Sequence, residues 1–392
     1  MILHDVKLIR ADGEVRLVGE IESASGKRLD TYFAFPERFE EFVSVTADPF
    51  AVTMLPPAMA AGESVEIVPP VSPQLLLSLH RVRDMLDAWF PEFHHAEIQA
   101  TPRARELRPL SGRAATFFSG GVDSFYTLLK YLRAERLPAP MTHVIFMRGI
   151  ETRLELVKGF EDSLRLNEEI ARELGVEVIV GETNIRTTSR LHWEKRYVGS
   201  GLAATALALA GGLDYVCVPS GASYLDLLPR GSSPLIEERF SSEDVRILTD
   251  GAEVSRAEKV GRIVEWDRDT VLNYLRVCIE NDGGAYNCGE CYKCVRTAVA
   301  LAASGAWDDA RNFRNRSKTH WERSARNDQR NLVAENQRFA HQVGADPALT
   351  AMLDRVVRRH ERSLAVRTLV AGTPAERLIP LVSRIRNRIA RV

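Results

Sequence analysis

The chain has 392 residues, of which 45% are hydrophobic and 27% are charged, and both fractions are typical of globular proteins. A formal net charge of -1 excludes a global electrostatic field that would draw the protein onto nucleic acid or an anionic membrane. At roughly 150 residues per domain, this length favours two or three domains.

The N-terminal residues carry charges at Asp5, Lys7 and Arg10, and no apolar segment typical of a secretory signal follows them. The longest weakly polar stretch, residues 199–219, is interrupted by glycines and Asp214 and is too broken and too short to span a bilayer. We therefore expect a cytoplasmic protein that does not enter a membrane.

Residues 1–108 are expected to form an N-terminal, mainly-β domain. Apolar residues alternate with polar ones as in strands, and Asp12-Gly13 and Ser25-Gly26 predict turns between the first three strands. Helical spacing predicts one helix, and a segment rich in Arg and Pro predicts a linker. The predicted strands are residues 2–9, 14–21, 28–35, 51–55 and 64–68, the helix is residues 74–90, and the linker is residues 101–113.

Residues 109–305 are expected to form an α/β domain. Short apolar runs alternate with helical segments, and this alternation predicts a doubly wound parallel sheet with helices on both faces. Sheets of this class bind ligands beyond the carboxyl ends of their strands. The predicted strands are residues 114–118, 142–147, 176–180 and 215–218, and the helices are residues 124–132, 155–174 and 201–210, with Gly175 as a C-terminal cap.

Residues 306–392 are expected to form a helical C-terminal region. Apolar residues recur at helical spacing in residues 349–360 and 375–389. No aromatic residues interleave the arginines of the tail, which favours a solvated helical face over contact with RNA or another acidic partner. These arginines include Arg384, Arg386, Arg388 and Arg391.

The segment Ser-Gly-Gly-Val-Asp-Ser, residues 119–124, follows a predicted strand and opens a predicted helix. Its two glycines let the backbone bend tightly and approach a ligand, and its amides can form a nest for phosphate at the positive end of the helix. The serine hydroxyls add donors, and Asp123 could hold a Mg²⁺ ion that bridges phosphates. The alternative is a glycine-rich turn without a ligand. The candidate phosphate-binding residues are Ser119, Gly120, Gly121, Val122, Asp123 and Ser124.

This motif resembles the signature of the PP-loop ATP pyrophosphatases, the adenine nucleotide alpha hydrolase-like superfamily. The resemblance implies a HUP-like fold, ATP bound by residues 119–124, and cleavage between the α and β phosphates with adenylation of a substrate. It makes Asp123 and Ser124 the candidate catalytic residues. It also implies that adenine lies near residues 146–149, so that Phe146 is a candidate ATP-binding residue; the alternative for Phe146 is a core position.

Four of the five cysteines lie close together in the sequence, at Cys278, Cys288, Cys291 and Cys294. Such clustering is typical of metal binding rather than of disulfides, and four thiolates complete the tetrahedral coordination of a structural Zn²⁺. An iron–sulfur cluster and four reduced thiols are the alternatives. The remaining Cys217 lies in an apolar predicted strand, where a cysteine usually behaves as a small buried hydrophobe.

The two motifs together resemble 7-cyano-7-deazaguanine synthase over residues 114–300. That resemblance implies zinc at the four clustered cysteines and activation of a carboxylate by ATP before it reacts with ammonia. After the second predicted strand the chain reads Met147-Arg148-Gly149-Ile150-Glu151 where that family has Tyr-Gly-Gln-Arg-His. The chain therefore resembles a divergent relative, whose acceptor could be another amine, including one on a peptide or protein.

Ser255 and Glu258 have the spacing of a helix capping box. Arg256 and Lys259 then lie in the first turn of that helix, where they could neutralise phosphate or remain in solvent. A second polar cluster, residues 192–196, precedes the helix predicted at residues 201–210 and receives no assigned role.

The leading hypothesis is a carbon–nitrogen ligase that adenylates a small-molecule carboxylate and forms an amide or nitrile. One alternative is sulfur transfer to tRNA or a small molecule, which usually requires a reactive thiol near the ATP site. Another alternative is a non-catalytic nucleotide-sensing module. The sequence leaves a homodimer open.

Overall fold

The computed structural model describes residues 1–104, 108–280, 287–322 and 332–370. The chain divides into two compact units, the first from Met1 to Asn287 and the second from Cys288 onward. The first unit extends across the predicted domain boundary near residue 108, because the strands on both sides of that position belong to one sheet.

Within the described residues, the first unit contains a ten-stranded, mostly parallel sheet. The strands are β1 (Ile2–Ala11), β2 (Glu14–Glu22), β3 (Arg28–Pro36), β4 (Val65–Val71), β5 (Ile98–Pro102), β6 (Ala114–Phe117), β7 (Met141–Arg148), β8 (Glu177–Thr183), β9 (Tyr215–Pro219) and β10 (Arg246–Asp250). Their spatial order is β10-β9-β6-β7-β8-β3-β2-β1-β4-β5. The first five strands in this order are mutually parallel, as the alternation of strands and helices predicts.

The helices of the first unit follow the predicted pattern after residue 114. They are α1 (Asp48–Ala61), α2 (Pro73–Trp89), α3 (Val122–Leu129), α4 (Val157–Leu174), α5 (Ile185–Ser189), α6 (Val198–Ala208), α7 (Pro234–Glu237), α8 (Arg256–Trp266) and α9 (Arg268–Tyr274). The predicted capping box at the start of α8 is confirmed, with Ser255 and Glu258 bonding to each other's backbone amides. Gly175 ends α4 with a φ of 72°, which confirms its capping role.

Two of the five strands of the parallel region show why the sequence predicts them. Strand β6 is buried at every position, and β9 is buried at its three central positions. Continuous apolar runs of this kind are typical of parallel strands whose two faces are covered.

The predicted strand at residues 51–55 is wrong, because this segment lies within α1. Pro49 occupies the first turn of the helix, where its fixed φ favours a helical start. Packing then overrides the strand preference of the apolar run: Phe50 is fully buried and contacts the sheet where Gly19 has no side chain. A Cβ atom at Gly19 would stand only 2.5 Å from the Phe50 ring.

The antiparallel and parallel regions of the sheet meet between β3 and β8, where the ladder contains only two residue pairs. Side chains extend this junction. Asn184 accepts a hydrogen bond from the Tyr32 amide at 3.0 Å and donates one to the Asp30 carbonyl at 2.7 Å. Thr183 donates its hydroxyl to the Tyr32 carbonyl at 2.6 Å. These side-chain bonds replace the ladder that the strands do not form.

The described part of the second unit contains α10 (Tyr292–Ala303), α11 (Leu332–Gln342) and α12 (Pro347–Val370). The helix predicted at residues 349–360 is confirmed within α12, while the helix predicted at residues 375–389 lies outside the described residues. Glu335 of α11 pairs with Arg296 of α10 at 2.5 Å, and this contact fastens the two helices together.

Candidate nucleotide site and cysteine cluster

The glycine loop, residues 119–124, connects the end of β6 to the start of α3. Gly120 has a φ of 74°, and a Cβ atom there would stand 2.7 Å from the Arg276 guanidinium. The backbone conformation at this position therefore favours glycine, and a Cβ atom there would displace the Arg276 guanidinium. Gly121 is extended and caps α3 without a side-chain hydrogen bond, so the loop delivers its backbone directly to the helix N-terminus.

Ser124 is buried and holds the shape of the loop. Its hydroxyl donates to the Gly121 carbonyl at 3.0 Å and accepts from the Ser119 amide at 3.3 Å. Ser119 is exposed, whereas Val122 is fully buried beneath the loop. The six predicted residues thus form one continuous turn, in which Ser119 faces the surface while Val122 and Ser124 face the interior.

Asp123 lies in the first turn of α3 and is flanked by two cations from the first turn of α8. Lys259 donates to one carboxylate oxygen of Asp123 at 3.0 Å, and Arg256 pairs with the other. Lys259 also donates to the Ser220 carbonyl at 2.5 Å and is almost fully buried. The structure therefore places Arg256 and Lys259 at the loop rather than in open solvent.

A buried ionic network behind the loop fixes the position of α3. The Asp250 carboxylate, at the end of β10, accepts hydrogen bonds from Thr127 and Lys130 at 2.8 Å each and from Tyr131 at 2.9 Å. Such a network is stabilising only when every polar group in it has a hydrogen-bond partner, and each of these side chains has one. Sequence patterns do not predict this network, because Asp250 and Lys130 are 120 residues apart along the chain.

Arg276 also contacts the loop, and the sequence does not predict this contact. Its guanidinium donates to the Ser119 carbonyl at 3.1 Å and to the Asn167 side chain at 2.5 Å, and its backbone amide donates to the Gly120 carbonyl at 2.8 Å. Burial lowers the pKa of Arg276 to about 10, so the side chain stays charged at neutral pH.

Phe146, the predicted adenine neighbour, lies in the core. Its ring is stacked on Phe160 with centroids 4.8 Å apart and an interplanar angle of 3°. The side chain is 2% exposed, which matches the alternative of a core position. An adenine contact of Phe146 stays a prediction.

A cavity of about 510 Å³ opens beside the carboxyl ends of β7 and β8. Its lining includes Arg153, Arg186, His192, Trp193 and Glu194, so that part of the polar cluster at residues 192–196 faces this cavity. The Arg186 guanidinium lies 5.3 Å from the centroid of the Trp193 ring. Burial and the neighbouring Arg153 lower the pKa of Arg186 below its usual value. The cavity therefore offers an aromatic wall, cationic groups and the carboxylates of Glu155 and Glu194 at the sheet edge.

The four clustered cysteines come together as the sequence predicts. Their sulfur atoms all lie within 4.8 Å of one another, and those of Cys288 and Cys294 are 3.8 Å apart. Four thiolates at about 2.3 Å from a zinc ion would stand about 3.8 Å apart in a tetrahedron, so the donor set fits the metal.

Local backbone features support a thiolate cluster. The amides of Glu290 and Cys291 donate to the Cys288 sulfur at 3.4 and 3.3 Å, and Cys291 caps the N-terminus of α10. Both features favour negative charge on sulfur. Gly289 has a φ of 82° and lies against the Asn315 backbone, with no room for a Cβ atom.

Cys217 is separate from this cluster and fully buried in β9. Burial, with a contribution from the Asp250 carboxylate, raises the pKa of the Cys217 thiol far above its usual value. The thiol is therefore protonated and poorly nucleophilic at neutral pH.

Comparison of the chain with protein-family models, with curated proteins and with solved structures finds no match. Among the described residues, no helix combines the length and the apolar character needed to cross a bilayer.

Proposed function

We propose that the chain is an ATP-dependent ligase of the PP-loop type, with a HUP-like, doubly wound α/β domain. The observation that carries this proposal is the glycine loop between a buried parallel strand and a helix, with Arg256 and Lys259 beside Asp123. Backbone amides at a helix N-terminus bind phosphate, and nearby cations supply the counter-charge that phosphoryl chemistry requires.

In the proposed site the triphosphate lies on the amides of residues 119–124. Arg256 and Lys259 exchange part of their contact with Asp123 for contact with phosphate oxygens, and the released carboxylate can then hold Mg²⁺. Before nucleotide binds, Asp123 pairs with both Arg256 and Lys259, and this pairing holds all three charged side chains beside the glycine loop.

The proposed reaction joins a carboxylate to an amine in two displacements. A carboxylate oxygen attacks the α-phosphorus of ATP, and the bond to the bridging oxygen breaks as pyrophosphate leaves with its electron pair. The amine nitrogen then attacks the acyl carbon, AMP leaves with the electron pair of the C–O bond, and the amine proton passes to solvent. Where the amine is ammonia, the oxygen of the primary amide can attack the α-phosphorus of a second ATP as pyrophosphate leaves. AMP then leaves with the electron pair of the C–O bond, and the two amide protons pass to solvent, which yields a nitrile.

The cavity beside β7 and β8 supports a substrate site of this chemistry. It lies at the sheet edge where doubly wound folds bind ligands, and Arg153 and Arg186 can pair with a carboxylate. The ring of Trp193 offers a flat apolar wall for a small molecule, while an amine on a small molecule, peptide or protein is the proposed acceptor.

The cysteine cluster is proposed to hold a structural zinc ion. Cys278, Cys288, Cys291 and Cys294 supply four sulfur ligands, which leave no open position for chemistry on a substrate. The role of the ion would be to fix the fold of the segment that carries these residues.

The buried state of Cys217 argues against the sulfurtransferase alternative. Sulfur transfer needs an accessible thiolate, while the described residues place the other four cysteines in one cluster. Retention of full activity by Cys217→Ala would remove this alternative.

The test uses the full chain. Isothermal titration calorimetry with Mg·ATP measures the dissociation constant, and incubation with ATP, candidate carboxylates and amines measures release of AMP and pyrophosphate. We expect Asp123→Asn to weaken binding and slow AMP release by at least about tenfold, the size of one charged hydrogen bond. Asp84→Asn, an exposed carboxylate on α2, is the matched control and should change neither quantity.

Absence of Mg·ATP binding by the wild type would contradict the proposal. Binding without release of AMP from any carboxylate would contradict the ligase reaction and favour the nucleotide-sensing alternative.

A further inference from the structure

The segment from Leu275 to Cys278 contacts the glycine loop at one end and supplies the first cysteine of the cluster at the other. The Arg276 amide donates to the Gly120 carbonyl at 2.8 Å, and the Arg276 guanidinium donates to the Ser119 carbonyl at 3.1 Å. Two consecutive carbonyls of the loop are thus held by one residue.

Because a peptide group is planar and trans, a carbonyl and the amide of the following residue point in opposite directions. Arg276 holds the carbonyls of Ser119 and Gly120, so the amides of Gly120 and Gly121 are directed away from it. These are the amides that a phosphate on the loop would use, and Arg276 therefore determines their direction.

The same segment is fixed from its other side by Asn287. The Asn287 side chain accepts from the amides of Val277 and Cys278 at 2.8 and 3.2 Å and donates to the Leu275 carbonyl at 2.9 Å. Asn287 is fully buried and immediately precedes Cys288. The backbone of this segment is therefore bonded to the residue that directly precedes Cys288.

We propose that residues 275–278 couple metal binding at the cysteine cluster to nucleotide binding at the glycine loop, with Arg276 as the positioning residue. This inference rests on the proposed function. A metal held by Cys278 restricts the segment to the conformation in which Arg276 meets both loop carbonyls, and that conformation presents the loop amides to phosphate. By linkage, bound nucleotide strengthens metal binding by the same factor.

The test compares Mg·ATP affinity by calorimetry in zinc-loaded and chelator-treated protein, for the wild type, Arg276→Ala and Arg276→Lys. Bound zinc is quantified in each sample, and thermal unfolding confirms that each is folded. Arg246→Ala, an exposed arginine on β10, is the matched control.

We expect removal of zinc to weaken Mg·ATP binding by the wild type and by Arg246→Ala about tenfold, within the usual range for coupled sites. Arg276→Ala should retain its zinc yet bind Mg·ATP about tenfold more weakly even when loaded, and removal of zinc should then have little further effect. Arg276→Lys keeps the charge and the aliphatic part of the side chain but loses the planar guanidinium with its several donors. Its affinity for Mg·ATP should therefore lie between those of the wild type and Arg276→Ala.

Equal affinities for Arg276→Ala and Arg246→Ala would overturn the inference, and so would an equal effect of zinc removal on wild type and Arg276→Ala. Either result leaves the proposed function intact if the wild type binds and turns over ATP. A wild type that does not bind Mg·ATP at all would overturn both.

Discussion

The glycine loop and the cysteine cluster both begin as short sequence motifs, but they are completed over very different distances along the chain. The cluster draws all its ligands from residues 278–294. The loop depends on Arg256, Lys259 and Arg276, which lie more than a hundred residues away from it. A local site is specified by its own segment, whereas the loop is specified by the packing of the whole first unit.

This difference predicts different consequences of substitution. A change in the cluster should remove the metal and destabilise the second unit, while a change in the loop should alter ligand affinity with a smaller effect on stability. The first two experiments below test this contrast, and the third tests a buried carboxyl outside both sites; they run from the largest expected effect to the smallest.

Cys294→Ser should have the largest effect. Cys294 is fully buried, and loss of one thiolate opens the coordination shell, so we expect loss of bound zinc and destabilisation of several kcal/mol. Metal analysis and thermal unfolding measure the two effects. Cys217→Ala is the control, because it removes a buried thiol outside the cluster and should retain zinc. A stable, zinc-bound Cys294→Ser protein would contradict the contrast.

Gly120→Ala should weaken Mg·ATP binding by about a hundredfold. The substitution places a Cβ atom at a φ of 74° and 2.7 Å from Arg276. The left-handed strain of about 1–2 kcal/mol is therefore joined by a steric clash that displaces the Arg276 guanidinium from the loop. Calorimetry measures the affinity. Gly26→Ala has the same backbone strain at a φ of 75°, but no atom within 4 Å of the new Cβ, and should bind normally.

Glu151→Gln should have the smallest effect, on the pH dependence of stability. Burial raises the pKa of the Glu151 carboxyl to about 8, above its ordinary value of 4.5. The protonated form therefore stabilises the fold below pH about 4.5, and this contribution is lost as the pH rises through about 8. Urea unfolding between pH 5 and 9 should show a smaller decline for Glu151→Gln than for the wild type, with zinc content unchanged. If the free energy of unfolding fell equally with pH in both proteins, Glu151 would not be the group responsible for the decline.

Much of the fold could be predicted from local pattern. Buried strands such as β6, the two-residue turn at Asp12-Gly13 and the capping box at Ser255 all follow from short-range chemistry, and the structure contains each of them. The segment at residues 51–55 failed because its strand preference is overridden by packing of α1 against the sheet. No local signal could reveal that packing.

In the candidate site, too, some features follow from local sequence and others depend on the fold. The spacing of the cysteines is sufficient to predict their convergence, and the glycines predict the turn at residues 119–124. The partners of Asp123 and the role of Arg276 depend on which helices the fold brings to the loop, and sequence spacing does not contain that information.

The short ladder between β3 and β8 has a consequence for dividing the chain into separate fragments. Strands with unpaired backbone groups along one side recruit other chains, which is why natural sheets cover or interrupt their outermost strands. Dividing the chain near residue 108 would turn β3 and β8 into such outermost strands, each with an open row of donors and acceptors. The cut would also break the hydrogen bonds that Asn184, Thr183 and Tyr197 make across it, and both fragments would gain a surface prone to self-association.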